Sequence, residues 1–223
     1  MSFWRAVAAI VWKDIRAELR TKDIFSGIFV FALLATVVFN FAFELRVPSM
    51  KMVAPGIIWV AVSFAGTLGL NRAFVIEQDK GSLAGLLLAT VDRSAIYFGK
   101  MLGNLIFMVV VEVMLLPLVM IFFNLPIITP QHLLVLFLGT YGFEAVGTVF
   151  SAMAVNTRAR EVLLPILLFP VLIPVLVAGV KMTGALLDGE ALSTAGNWLQ
   201  LVVVYDLVFT VVAYLTFGYV VEE

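Results

Sequence analysis

The chain has no cysteine and a single histidine. A disulfide framework, a thiolate metal site and covalent haem attachment all require cysteine, so none is available. One histidine, His132, cannot supply bis-histidine ligation within one chain, and its position after Pro126 and Pro130 predicts a solvated loop residue. Charge is scarce as well. Only 13% of the residues are charged, against about 25% in a soluble domain. The net charge of −1 leaves no electrostatic footprint for nucleic acid. What fills the 223 residues instead is 63% hydrophobic side chains, more than a water-exposed surface of this size can hide. A soluble enzyme, a coiled coil and a disordered tail are excluded together. An integral membrane protein of one domain, residues 1–223, remains.

A membrane helix needs about 20 mostly apolar residues. Six runs qualify: 24–43, 53–70, 101–123, 133–155, 162–180 and 199–221. Transmembrane strands would alternate apolar and polar residues, whereas these runs are continuously apolar. An all-α bundle of six transmembrane helices is predicted. The charged segment Met1–Asp23 lacks the short apolar core and small-residue site of a cleaved signal, so the first span is expected to be retained.

Basic residues settle on one side. Arg5, Lys13, Arg16, Arg20, Lys22, Arg72, Lys80, Arg93, Lys100, Arg158 and Arg160 fall on one face of the bundle, and only Arg46, Lys51 and Lys181 on the other. The positive-inside rule then places both termini in the cytoplasm. On the outer side the connections are short, with about eighteen residues between the fifth and sixth spans the longest by this hydropathy-window reading.

Two cytoplasmic elements stand out. Residues 3–20 repeat Trp4, Val7, Val11, Ile15 and Leu19 at helical spacing, opposite Lys13, Arg16 and Arg20, the pattern of a helix in the membrane interface. It serves either as a plain topological anchor or as a contact for a partner. The connection 71–100 opens with a charged helical continuation that Gly81 can interrupt. Ser82 then caps a short helix through Leu88, and Asp92 or Ser94 caps the entry to the third span. A short amphipathic helix between two breaks either packs on its own bundle or enters a groove on another protein.

Within the spans three acidic residues, Glu112, Glu144 and Asp206, have no basic companion. A charge at mid-bilayer costs at least about 2.5 kcal/mol, so each carboxyl must be protonated, hydrogen-bonded between helices or turned to a watery cavity. They are either a polar lining of a path or interhelical glue. Small residues (Ala61, Ala65 and Gly69; Gly99 and Gly103; Gly147 and Ser151) mark close helix approaches, within the chain or along a homodimer seam. Pro165, Pro170 and Pro174 predict a bent or partly broken fifth span. Of the four tryptophans, Trp4, Trp12 and Trp198 fit an interfacial belt. Gly99-Lys100 lacks the upstream glycine and downstream hydroxyl of a phosphate-binding loop, and no nucleophile or metal motif occurs.

Two stretches suggest a family. APGIIWVA (Ala54–Ala61) and LLPILLFPVLIPVL (Leu163–Leu176), together with Glu77, Gly81, Ser82, Leu83 and the closing Gly99-Lys100, resemble the CcmB family of haem exporter permeases. The resemblance covers nearly the whole chain. It implies an ABC exporter permease fold in the bacterial inner membrane, with residues 3–20 as an elbow helix and Glu77–Leu88 including the coupling helix. Glu77, Asp79, Gly81, Ser82, Leu83 and Leu86 are then the residues expected to meet the ATPase. It further implies a CcmA-like ATPase, CcmC- and CcmD-like membrane proteins and a second copy of this chain as partners. Haem is the candidate substrate, ATP is handled by the partner, and no cofactor is held by the chain itself. Two rivals stand beside that reading: a proton-coupled carrier working through Glu112 and Glu144, and an assembly scaffold that transports nothing.

Overall fold

The computed structural model describes residues 2–43, 46–79, 85, 91–155, 157 and 159–221. Among them the regular elements are seven α-helices and one 3-10 turn, Met50–Met52. The helices are α1 (Phe3–Thr21), α2 (Asp23–Phe43), α3 (Ala54–Asp79), α4 (Arg93–Phe123), α5 (Pro130–Ala154), α6 (Arg160–Leu187) and α7 (Gly196–Val220). Helices α2 to α7 are long and apolar enough to cross a membrane, six spans as the hydropathy predicts.

Their ends differ from the predicted ones in an instructive way. Helix α3 has 26 residues and α4 has 31, or about 39 and 46 Å at 1.5 Å per residue. A hydrocarbon core of about 30 Å is too thin for either. Much of the predicted 71–100 loop is therefore helix, continuing out of the membrane from both sides. Asp92 caps α4, its carboxylate accepting from the Ser94 N–H at 2.9 Å, one of the two caps expected there. Helix α6 runs past position 180 through Lys181 and stops only at Leu187, where Gly189 takes a left-handed φ of 85°. A glycine just beyond the last turn supplies that conformation without a Cβ penalty. The connection between α6 and α7 is accordingly residues 188–195, much shorter than predicted. Pro165, Pro170 and Pro174 all lie inside α6, which runs unbroken from Arg160 to Leu187, so of the bent or partly broken span expected the break is absent. The Tyr205 hydroxyl of α7 donates to the Val171 carbonyl within this proline-rich stretch at 3.1 Å.

Helix α5 is central, touching α3, α4, α6 and α7. Its glycines admit large neighbours. A Cβ on Gly139 would stand 2.1 Å from the Trp59 ring, and one on Gly147 would stand 2.2 Å from Leu70 Cδ1. Trp59 is also pressed on Gly179 of α6 and donates its indole N–H to Thr183 Oγ1 at 3.0 Å. The tryptophan of the Ala54–Ala61 stretch thus joins α3, α5 and α6, and the two stretches that carry the family resemblance lie on neighbouring, packed helices.

Helix α1 does not lie on lipid with its whole apolar stripe. Ala6, Val7 and Ile10 pack on α4, while Trp4, Trp12 and Leu19 are exposed. The Gly99 and Gly103 pair is the seat for this contact, since a Cβ on Gly99 would come within 2.7 Å of Ile10 Cβ. Ala61 and Ala65 are fully buried, Gly69 faces Ile28, and the Ser151 hydroxyl donates to the Leu70 carbonyl. The small-residue motifs close contacts inside the chain, the first of their two readings.

Gly99→Ala is expected to destabilise the protein by about 1–3 kcal/mol through overpacking. Ile10→Ala in the same molecule should recover part of the loss. The unfolding midpoint of the detergent-solubilised single and double variants reads this coupling.

Candidate functional site

Three groups of residues carry chemistry. The first is where α1 meets α4. Lys100 is only 2% exposed, yet its ammonium lies 2.9 Å from Asp14 Oδ2. Asp14 sits two-sided, its other oxygen 3.2 Å from Lys13. The Lys100 ammonium also stands 5.7 Å from the centroid of the Phe74 ring on α3. A buried ion pair is costly to break once formed, because either lone partner is left desolvated. Sequence reasoning missed it. Its signal was Asp14 falling on the Val7 and Ile10 side of α1, where an acid has no reason to be unless it is paired. At the other end of α1, Lys22 adopts a left-handed φ of 57° and Glu18 accepts from the Phe25 N–H at 2.7 Å. The corner into α2 is therefore fastened by a side chain that satisfies an otherwise open N–H of the first turn.

The second group is inside the bundle. Glu112 of α4 accepts a hydrogen bond from the Thr140 hydroxyl of α5. Glu144 lies one turn beyond Thr140 on the same helix. Asp206 of α7 is brought against Gly142, which faces away from Thr140 on α5; a Cβ there would be 2.3 Å from Asp206 Oδ1. All three predicted carboxyls are buried around one helix, Glu112 with Glu144 on one side and Asp206 on the other. Among the described residues Glu144 Oε2 and both Asp206 oxygens have no hydrogen-bond partner. Thr140 was not anticipated, because a hydroxyl in an apolar run usually bonds its own helix.

The third group is the segment after α3. Glu77 and Asp79 occupy the last turn of the α3 backbone. Their side chains, together with Gly81, Ser82, Leu83 and Leu86, lie outside the described residues. The helix that leads to them is continuous from Ala54 to Asp79.

His132 is a correction. It is 4% exposed in the first turn of α5, its Nδ1 2.7 Å from Thr129 Oγ1, which also caps the helix. Pro130 does not mark a loop here. It starts the helix, as proline at the first helical position does.

Six apolar spans with acids buried between them define a multi-pass α-helical membrane protein. A profile of the family described as CcmB protein matches residues 5–222. The chain belongs to the CcmB protein family. It is similar to heme exporter protein B of Rhodobacter capsulatus, at 27% identity over 82% of this chain and 85% of that one. Heme exporter protein B of Pseudomonas aeruginosa is 30% identical over 72% of each chain. That of Bradyrhizobium diazoefficiens is 26% identical over 82% of this chain and 83% of its own.

Thr140→Val keeps the side-chain shape and leaves the Glu112 carboxyl without its partner, at a cost of about 1–3 kcal/mol. Thr140→Ser, which retains the hydroxyl, is expected to lose much less. Thermal unfolding of the purified variants in detergent compares the two.

Proposed function

We propose that the chain is the membrane-spanning permease subunit of an ABC transporter complex that exports or delivers haem for c-type cytochrome assembly. The observation that carries the reading is the family match across residues 5–222, with relatives named heme exporter protein B. The permease holds no nucleotide site of its own in this reading. A CcmA-like ATPase supplies ATP hydrolysis, CcmC- and CcmD-like proteins complete the complex, and two permease copies face two ATPases in the bacterial inner membrane. Both termini are cytoplasmic, consistent with eleven basic residues on that side against three on the other. Helix α1 acts as the elbow helix.

The mechanism is mechanical. Closure of the ATPase dimer displaces the Glu77–Leu88 segment, and α3 carries that displacement into the bundle as one unbroken rod. Because α3 touches α2, α4, α5 and α6, a tilt of its inner end is felt by most of the spans. Charge reversal at both Glu77 and Asp79 is expected to weaken co-purification of the ATPase and to lower coupled ATP hydrolysis severalfold. Normal pull-down and hydrolysis in that variant would remove the coupling assignment.

One observation favours a second reading. The pairing of Glu112 with Thr140 next to Glu144 is an arrangement that a proton-coupled carrier could use. Glu112→Gln and Glu144→Gln together are expected to yield a folded protein with impaired cytochrome c maturation. If maturation is normal in the double variant, the carboxyls are structural glue. Transport that persists after nucleotide depletion would favour the carrier, and function without ATP hydrolysis or substrate flux would favour a scaffold.

A further inference from the structure

Helix α1 has two working faces, and only one is used inside the molecule. At about 100° per residue, Ile10, Asp14, Val7 and Glu18 share the side turned to α4 and α2. Trp4, Leu19 and Trp12 fall within about 80° along the neighbouring flank, and Arg5, Arg16 and Arg20 fill the next 60° or about that, opposite the packed side. Trp4 and Trp12 are 70% and 62% exposed, and all three arginines are exposed. The helix contains two acids, and both are engaged inward: Asp14 with Lys100, Glu18 with the Phe25 N–H. The outward face therefore combines an aromatic strip with an undiluted row of guanidinium groups.

We propose that this face of α1 is a binding surface for anionic phospholipid headgroups. Its position suits a lipid-facing role. Helix α1 turns directly into the first span at Lys22 and rests on the inner end of α4, so its free side lies at the level where a bilayer presents phosphates. Trp4, Leu19 and Trp12 suit the boundary between headgroup and acyl chain. Each arginine offers a planar fork of donors to phosphate oxygens, and a phosphodiester whose charge is cancelled by a headgroup ammonium lacks the net charge to answer three of them. The surface depends on the spans alone and not on what the bundle transports. Its failure and the failure of the transporter reading are separate events.

The full chain is placed in bilayer discs of phosphatidylethanolamine doped with an equal mole fraction of brominated phosphatidylethanolamine or brominated phosphatidylglycerol. The fluorescence of Trp4 and Trp12 is isolated by subtracting a W4F/W12F variant. Bromine next to these indoles quenches them, so relative quenching reports which lipid occupies the face. We expect phosphatidylglycerol to be preferred about tenfold or more, since each basic group near an anionic surface contributes about fivefold. The preference should approach unity in R5Q/R16Q/R20Q and fall about fivefold in Arg16→Gln alone, which alters one exposed side chain and leaves the α4 seat untouched. Equal quenching by both lipids in the unmodified chain overturns the proposal. So does a preference that survives Arg16→Gln undiminished, which places the lipid elsewhere. Absence of quenching by either lipid also overturns it and assigns the face to a protein partner.

Discussion

Lipid gives helices no hydrophobic reason to associate, because the acyl chains are as apolar as leucine. Contact has to come from fit, and in this bundle the fit has one recurring form: a residue without a side chain on one helix opposite a large side chain on another. Gly139 and Gly179 hold the Trp59 ring between them, Gly66 faces Phe143, Gly147 faces Leu70, and Gly99 faces Ile10. The backbones come close enough for polar side chains to reach across, as Tyr97 does in donating to the Ala145 carbonyl at 3.0 Å. Two of the interior acids are placed by this close packing. Glu112 meets Thr140 because α4 and α5 are held at that distance, and Asp206 reaches α5 because position 142 has no Cβ.

Much of this architecture was legible in the sequence, and the exceptions have physical causes. Six spans are read from hydropathy because a window of about 20 residues averages over local detail. Their ends are not, because a helix need not stop where the bilayer does. α3 and α4 go on through charged residues in water, and α6 ignores Lys181 to end at a glycine beyond Leu187. Prolines mislead in both directions. Those in α6 leave the helix intact, and Pro130 begins one where a loop was expected around His132.

The candidate site was half visible for a similar reason. An acid in an apolar run announces itself, so Glu112, Glu144 and Asp206 were found from sequence. Their partners do not, since a threonine or a glycine is unremarked in a span, and which of them faces an acid depends on how the helices are rotated. Asp14 and Lys100 lie 86 positions apart in the chain, and nothing local links them. The helix of the amphipathic reading is present as α1, and it shares its apolar stripe with a neighbour that the pattern did not reveal. Half of its apolar stripe belongs to α4, and the exposed remainder carries the tryptophans.

The fastening of α1 at both ends has a consequence for how the bundle can move. One end is joined to α2 through the corner at Lys22, where Glu18 holds Phe25, and its body is joined to α4 through Asp14 and Lys100. Helix α1 is thus a strap across the N-terminal ends of α2 and α4. Those ends part only with the opening of the Asp14–Lys100 ion pair or of the Glu18 cap, on top of the direct packing of α2 on α4. Movement at this edge of the bundle therefore carries α1, α2 and α4 together.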